Sequence, residues 1–352
     1  MTTLQTGEVV ASDRAPAVTA VIPAYNAASF IERALRSVLA QTHRVAEIIV
    51  VDDGSSDRTA ELAAAFPHVR VIRRANGGPG AARNTGVDAA SSEWIAFLDS
   101  DDSWAPSKTE SQLKLIAADV GVVYVSRFDP INFGALWHRQ ATFTPTGALV
   151  RRQALSDAGG FDESRAIIGT EDLDMWIRIA LAGWRFVRSA EELIEYSPTE
   201  QSLSRNHFKM ARAELSMITT IGSRVHCQGE EIERIKQASR IEYVKNLIAD
   251  QRWDEAQALL RECAPGMASR WLALVAYLRT NRLARTRFVR WLHSKDARYG
   301  ARICSGECTL PTAMREQCME TCRTPYYRPD PVQVSVPHAV DRKSDLSKRK
   351  HR

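Results

Sequence analysis

Between residues 17 and 102 two patterns alternate along the chain, and that alternation leaves few folds open. The runs "AVTAVIPAY", "AEIIVVDD", "VRVIRR" and "EWIAFLDSDD" read as short strands. Between them, "SFIERALRSVLAQT", "DRTAELAAAF" and "PGAARNTGVDAA" carry helical signals. Ile31, Leu35, Val38 and Leu39 share one helical face, and Ser29 with Glu32 has the spacing of a capping box. Largely apolar strands separated by helices predict an α/β fold, a doubly wound, mostly parallel sheet covered on both faces.

In such a sheet, ligands bind beyond the carboxyl ends of the strands, at a switch in strand order. Asp52, Asp53, Asp99, Asp101 and Asp102 all fall at those ends and are expected to meet in one crevice. Carboxylates that face one another need a cation or protons between them. The six cysteines all follow residue 226, so thiols take no part there. An oxygen-only set suits Mg²⁺, Mn²⁺ or Ca²⁺ rather than zinc, and Mg²⁺ usually completes its shell with phosphate and water. A phosphate-bearing ligand is therefore expected. An EF-hand loop would place Asp99, Asp101, Ser103 and Glu110 at its ligand positions, but its sixth position wants Gly and here holds Trp104. A solvated acidic turn is the plain alternative, and it stays open on this segment alone.

After residue 104 the pattern loosens. "APSKTESQLKLIAA" predicts a helix with Pro106 in its first turn, and "VGVVYVS" a strand. "FTPTGALVRRQALSDAGGFDE" reads as a strand, a short helix and a glycine turn. "EDLDMWIRIALAG" is an amphipathic helix with Leu173, Trp176, Ile177 and Ala180 on one side. Beyond about residue 210 only helices are expected, with no internal repeat. The expected divisions are a flexible leader over 1–16, a catalytic domain over 17–209, a helical region over 210–325 and a disordered basic tail over 326–352.

These pieces together resemble the family 2 glycosyltransferases, which have the GT-A fold and use nucleotide sugars. The matching segments are "VIPAYNAASFIERALRSVLAQT", "EIIVVDDGSSDRT", "NGGPGAARNTGV", "WIAFLDSDD" and "GGFDES…EDLDMWIRIALAG", in the family's order over roughly residues 17–205. The resemblance implies that Pro23, Tyr25, Asn26, Asp53, Gly78, Arg83, Asn84, Asp99, Ser100 and Glu171 bind the nucleotide sugar. It places Tyr25 and Asp53 at the nucleobase, where a carboxylate accepting the uracil N3–H favours uridine. Asp99 and Asp101 form the family's D-x-D, which with Asp102 as a third participant holds Mn²⁺ or Mg²⁺. Asp172 matches the general base, with helix capping as its alternative. Asp174 is expected to be structural. Thr146 and Gly147 border sugar and acceptor, and Arg205 and His207 are expected on solvated surface rather than at the diphosphate.

The function implied is inverting transfer of a sugar, from a UDP-sugar above others, to a saccharide or lipid-linked acceptor in cell-surface polysaccharide synthesis. Two other readings stand beside it. One is an inactive nucleotide-sugar-binding homologue acting as a scaffold. The other is a nucleotidyltransferase, which wants a Gly-rich loop after the first strand, where "PAYNAAS" stands.

A net charge of +5 is mild and does not argue for nucleic acid. No apolar run approaches the roughly 20 residues of a membrane span, and the first residues do not read as a signal peptide. A cytoplasmic protein is expected, peripheral on the inner face of the membrane if residues 268–302 dock there. That stretch interleaves Trp271, Tyr277, Phe288 and Trp291 with Arg270, Arg279, Arg282, Arg285, Arg287, Arg290 and Lys295. Such a helix lies on anionic lipid or packs as a subdomain with a solvated basic face, and both stay open. Cys304, Cys308, Cys318 and Cys322 form two C-x3-C pairs, which hold zinc, a disulfide or neither; structural zinc prefers C-x2-C.

Overall fold

The structure, a computed structural model, describes residues 16–286 apart from 127, 140, 190–192, 198–202, 226, 228 and 264. The expected leader, the four C-terminal cysteines, the tail and residues 287–302 of the basic stretch lie outside the described residues.

Nine strands are present among them: β1 (Val18–Ala24), β2 (Glu47–Asp52), β3 (Val69–Arg73), β4 (Trp94–Phe97), β5 (Ser103–Trp104), β6 (Val120–Val125), β7 (Ala148–Arg151), β8 (Arg185–Ser189) and β9 (Ile194–Glu195). Seven form one sheet in the order β3-β2-β1-β4-β7-β6-β8, while β5 and β9 pair separately. Only β7 runs against its neighbours in the large sheet. This is the mostly parallel sheet with flanking helices that the strand pattern predicts. The chain winds outward from β1 through β2 to β3, then returns to the other side of β1 at β4. The switch point is thus the gap between the ends of β1 and β4.

Every residue of β1 is buried. Alternate residues enter different cores: Val21, Ile49, Val51, Ile95 and Phe97 face one layer, and Ala20, Ile22, Val50, Ala96 and Leu98 the other. Burial on both faces explains why these strands read as apolar runs. Each fully buried Val, Ile or Leu contributes about 1.5–3 kcal/mol relative to exposure. The helix Pro79–Ala89 packs closely on β1, because a Cβ at Gly86 would collide with Val21.

Two local expectations are corrected. The helix Ile31–Leu39 is preceded by Phe30 as its cap with no side-chain bond, so Ser29 and Glu32 form no capping box. Glu32 turns instead to Arg36, at 2.7 Å. Pro106 lies outside the helix Lys108–Leu113, where its carbonyl accepts from Thr42 N at 2.9 Å.

The described residues past 206 are helical: His207–Arg224, Gly229–Ala249, Trp253–Arg261 and Pro265–Thr280. The core does not stop at residue 209, since Met217, Ile218 and Ile221 join the layer that holds Trp176 and Phe143. Buried Glu214 fastens the join, accepting from Ser239 Oγ at 2.7 Å and Tyr243 Oη at 2.9 Å and pairing with Arg139 at 2.8 Å.

Candidate active site

The carboxyl ends of β1, β2 and β4 deliver the sequence's candidates to one edge, where three of the five aspartates are bonded within the protein. Asp52 is fully buried and accepts from Ser55 N and Arg73 Nε, each at 3.1 Å. Asp53, 3% exposed, accepts from Gly77 N at 3.0 Å and Gly78 N at 2.8 Å. It therefore shapes the glycine loop. Gly78 there has φ +93, a conformation side chains rarely adopt. Asp102 is 1% exposed and accepts from Thr146 Oγ1 at 2.7 Å and Ser197 N at 3.1 Å. Burial pushes its carboxyl up to about 6. Both its oxygens are thus engaged inside the protein, which argues against Asp102 as a cation ligand. Asp52, Asp53 and Asp102 are thus each bonded within the protein, while Asp102 still feels the charges of Asp99 and Asp101.

Asp99 and Asp101 remain partly exposed beyond β4 with Ser100 between them. Burial raises the Asp101 carboxyl, and the charge of Asp99 raises it further. Arg33, which the sequence did not single out, donates to the Asp101 carbonyl through Nη2. Among the described residues no three His, Cys, Asp or Glu side chains form a ready metal cage. Two accessible carboxylates still fit Mg²⁺ or Mn²⁺, whose shell phosphate and water would complete.

Arg83 connects this edge to the helix Glu171–Leu181. Its Nη2 lies 2.8 Å from Asp99 Oδ1 and its Nη1 2.8 Å from Glu171 Oε1. Burial works against the Arg83 charge, and Asp99 and Glu171 more than compensate. Glu171 Oε2 also accepts from Gly169 N at 2.6 Å. Asp172, next along the helix, accepts only from its neighbour Leu173 N at 2.7 Å and has no ion pair among the described residues. Burial raises its carboxyl to about 7, helped by the Glu171 charge and opposed by Arg83. A carboxyl poised there can exchange a proton near neutral pH. Asp174 is buried and pairs with Arg178, whose Nη1 donates to Gly160 O at 2.7 Å.

The remaining candidates divide. Tyr25 is 56% exposed just past β1, with a ring free for stacking. Asn26 beside it accepts from Ser56 N at 2.9 Å, holding the two strand ends together. Pro23 is buried inside β1, opposite Val51. Asn84 is spent on the loop before the Glu171 helix, donating to Phe161 O at 2.9 Å and accepting from Phe161 N at 2.8 Å. His207 pairs with Asp250 at 3.3 Å.

Residues 19–169 match the family model described as glycosyl transferase family 2. The chain is 43% identical over 125 residues to the succinoglycan biosynthesis protein ExoO of Rhizobium meliloti, a match covering 35% of this chain and 36% of that protein. It is 28% identical over 215 residues to TuaG of Bacillus subtilis, named for teichuronic acid biosynthesis and glycosyl transfer, covering 56% and 85% of the two chains. The chain thus spans about a third of the first relative and most of the second. Among solved structures it is similar to a mannosyltransferase of Pyrobaculum calidifontis in complex with GDP-Man and Mn²⁺, with a TM-score of 0.53, 20% identity and coverage of 81% and 88%. S. aureus TarS in complex with UDP-GlcNAc matches with a TM-score of 0.50, 18% identity and coverage of 83% and 98%. At these identities the structures speak for the fold, which is GT-A.

Proposed function

We propose, from the match of residues 19–169 to the glycosyl transferase family 2 model, that the chain moves a sugar from a nucleoside-diphosphate donor to an acceptor hydroxyl with inversion. The observation that carries this reading is the Arg83 fork, which ties Asp99 at the sheet edge to Glu171, the neighbour of Asp172. Donor-side and acceptor-side carboxylates are thereby held in one frame.

Asp172 Oδ takes the proton of the acceptor hydroxyl as that oxygen forms its bond to the anomeric carbon. The bond from that carbon to the diphosphate oxygen breaks, and its electron pair leaves with the nucleoside diphosphate. A single displacement of this kind inverts the configuration. Tyr25 offers a ring to the nucleobase. Asp53 favours uridine through the acceptor capacity its carboxylate keeps beside the Gly77 and Gly78 N–H groups and the Arg74 guanidinium 3.4 Å away. Asp99 and Asp101 would hold Mn²⁺ or Mg²⁺, which neutralises diphosphate charge when bound.

The acceptor we propose is a saccharide or lipid-linked precursor in polysaccharide synthesis, in keeping with the names of the relatives. Among the described residues no helix is long and apolar enough to cross a membrane. Peripheral docking is supported by the helix Pro265–Thr280, which has no acidic residue and exposes Arg270, Tyr277 and Arg279. Sedimentation with phosphatidylglycerol but not phosphatidylcholine vesicles is expected, and equal behaviour with both would count against docking.

The deciding experiment is nucleotide release from UDP-, GDP- and dTDP-sugars with Mn²⁺, with Mg²⁺ and with EDTA. Cation-dependent release from one donor, lost in Asp172→Asn and Asp101→Ala, supports the reading and names the sugar. Tight nucleotide binding with no release for any donor or acceptor would favour the scaffold.

A further inference from the structure

Thr146 is fully buried in the 3-10 turn Pro145–Gly147 that leads into β7. Expected beside the sugar and acceptor, it makes its contacts inward. Its Oγ1 accepts from Asp99 N at 3.0 Å and donates to Asp102 Oδ2 at 2.7 Å. Its carbonyl accepts from Trp104 Nε1 at 3.0 Å. One residue thus grips the turn at its first aspartate, its last aspartate and the strand that follows. Asp102 extends the grip to the segment after β9 by accepting from Ser197 N at 3.1 Å.

The turn that carries Thr146 is fixed from behind. Gln112 Nε2 donates to Gly147 O at 2.9 Å and to Val123 O at 3.1 Å, and Gln112 Oε1 accepts from buried Lys108 at 2.8 Å. A hydroxyl suits this place because it accepts and donates at once. Valine has nearly the same shape and can do neither.

Asp99 and Asp101 repel each other, and Arg83, 2.8 Å from Asp99, and the Arg33 charge offset that only in part, since the Asp101 carboxyl is still raised. Something must therefore keep the turn in shape before a cation arrives. We propose that Thr146 is a positioning residue for nucleotide binding: its hydroxyl, backed by Asp102, presets the Asp99–Asp101 turn for a nucleoside diphosphate and its divalent cation. The inference rests on the proposed function of this site.

The test is calorimetric titration of UDP and GDP, each with and without Mn²⁺, into wild type, Thr146→Val, Thr146→Ser and Asp102→Asn, with thermal midpoints measured in parallel. Thr146→Val should weaken cation-dependent nucleotide affinity about tenfold or more, while cation-free affinity changes less than about threefold. Thr146→Ser, which keeps the hydroxyl, should recover most of the loss. A purely structural role would lower the midpoint and leave the cation dependence as in wild type, which overturns the inference. Equal losses in the serine and valine variants would overturn it too, by showing that the hydroxyl does not by itself set the affinity. Should Thr146→Val fail to fold, Asp102→Asn carries the test: a severalfold loss of cation-dependent affinity supports the inference and wild-type affinity overturns it. Failure of the wild type to bind either nucleotide would instead overturn the underlying assignment of the site.

Discussion

Arg83 Nη2 lies 2.8 Å from Asp99 Oδ1, linking residues 16 apart in sequence across the switch point of the sheet. The same guanidinium reaches Glu171, 88 residues away, at 2.8 Å. With side-chain exposures of 5% for Arg83 and 7% for Glu171, water cannot replace either partner readily. Removing one member of a buried pair typically costs about 3–5 kcal/mol, because the other charge is left uncompensated. Arg83→Met should therefore lower the unfolding free energy by roughly that amount and reduce transfer about 100-fold or more through misplaced carboxylates. Arg83→Lys keeps the charge but not the fork, and should recover little of the activity. Denaturant unfolding beside steady-state kinetics checks this. Wild-type turnover in the lysine variant would show that charge alone suffices.

As the proposed base, Asp172 should give the site a pH dependence. Its carboxyl is raised to about 7, first by burial and then by the Glu171 charge. A base works deprotonated, so kcat/KM should rise about tenfold per pH unit below that value and level off above it. Asp172→Asn should lower turnover about 10²–10⁴-fold and leave nucleotide affinity within a fewfold of wild type. A rate flat from pH 5 to 8, or a nucleotide affinity that collapses in the asparagine variant, would remove Asp172 from the role of base.

The frame of this site was legible in the sequence, and its wiring was not. β1, β2 and β4 are buried on both faces, so their apolar runs gave themselves away. Their aspartates then had to lie at the carboxyl edge. Nothing local distinguishes Asp101 from Asp102, however. The difference is a hydroxyl 44 residues on, which pulls Asp102 inside. Asp53 likewise shows its attachment to Gly77 and Gly78 only once the loop closes over it. The missing capping box has a smaller cause: the helix begins at Ile31, so Ser29 sits one residue too early to cap it.

Gly169 couples the helical region to the segment that carries the proposed base. It has φ +100, and a Cβ there would lie 2.5 Å from Met210 Sδ. Its N–H holds Glu171. Gly169→Ala meets both a steric clash and backbone strain of about 1–3 kcal/mol. It should lower the thermal midpoint and reduce kcat more than it weakens nucleotide binding. Adding Met210→Ala relieves the clash and leaves the strain, so recovery should be partial. Full recovery would show that φ at residue 169 is not constrained.

Lys108 is fully buried, with its Nζ 4.2 Å from the centre of the Trp104 ring, and burial lowers its ammonium to about 7. An unfolded lysine titrates near 10.4. Between these values the unfolded chain binds more protons at this residue than the folded one. Stability contributed by Lys108 therefore rises with pH across that window, by up to about 1.4 kcal/mol per unit. Lys108→Met lacks the titration, so the stability difference between wild type and variant cancels the other groups. Urea unfolding at pH 7, 8 and 9 should show the wild type gaining on the variant at each step. A difference that stays constant would mean that Lys108 keeps its proton in the folded protein, with the Trp104 ring and Gln112 sufficient to hold a buried charge.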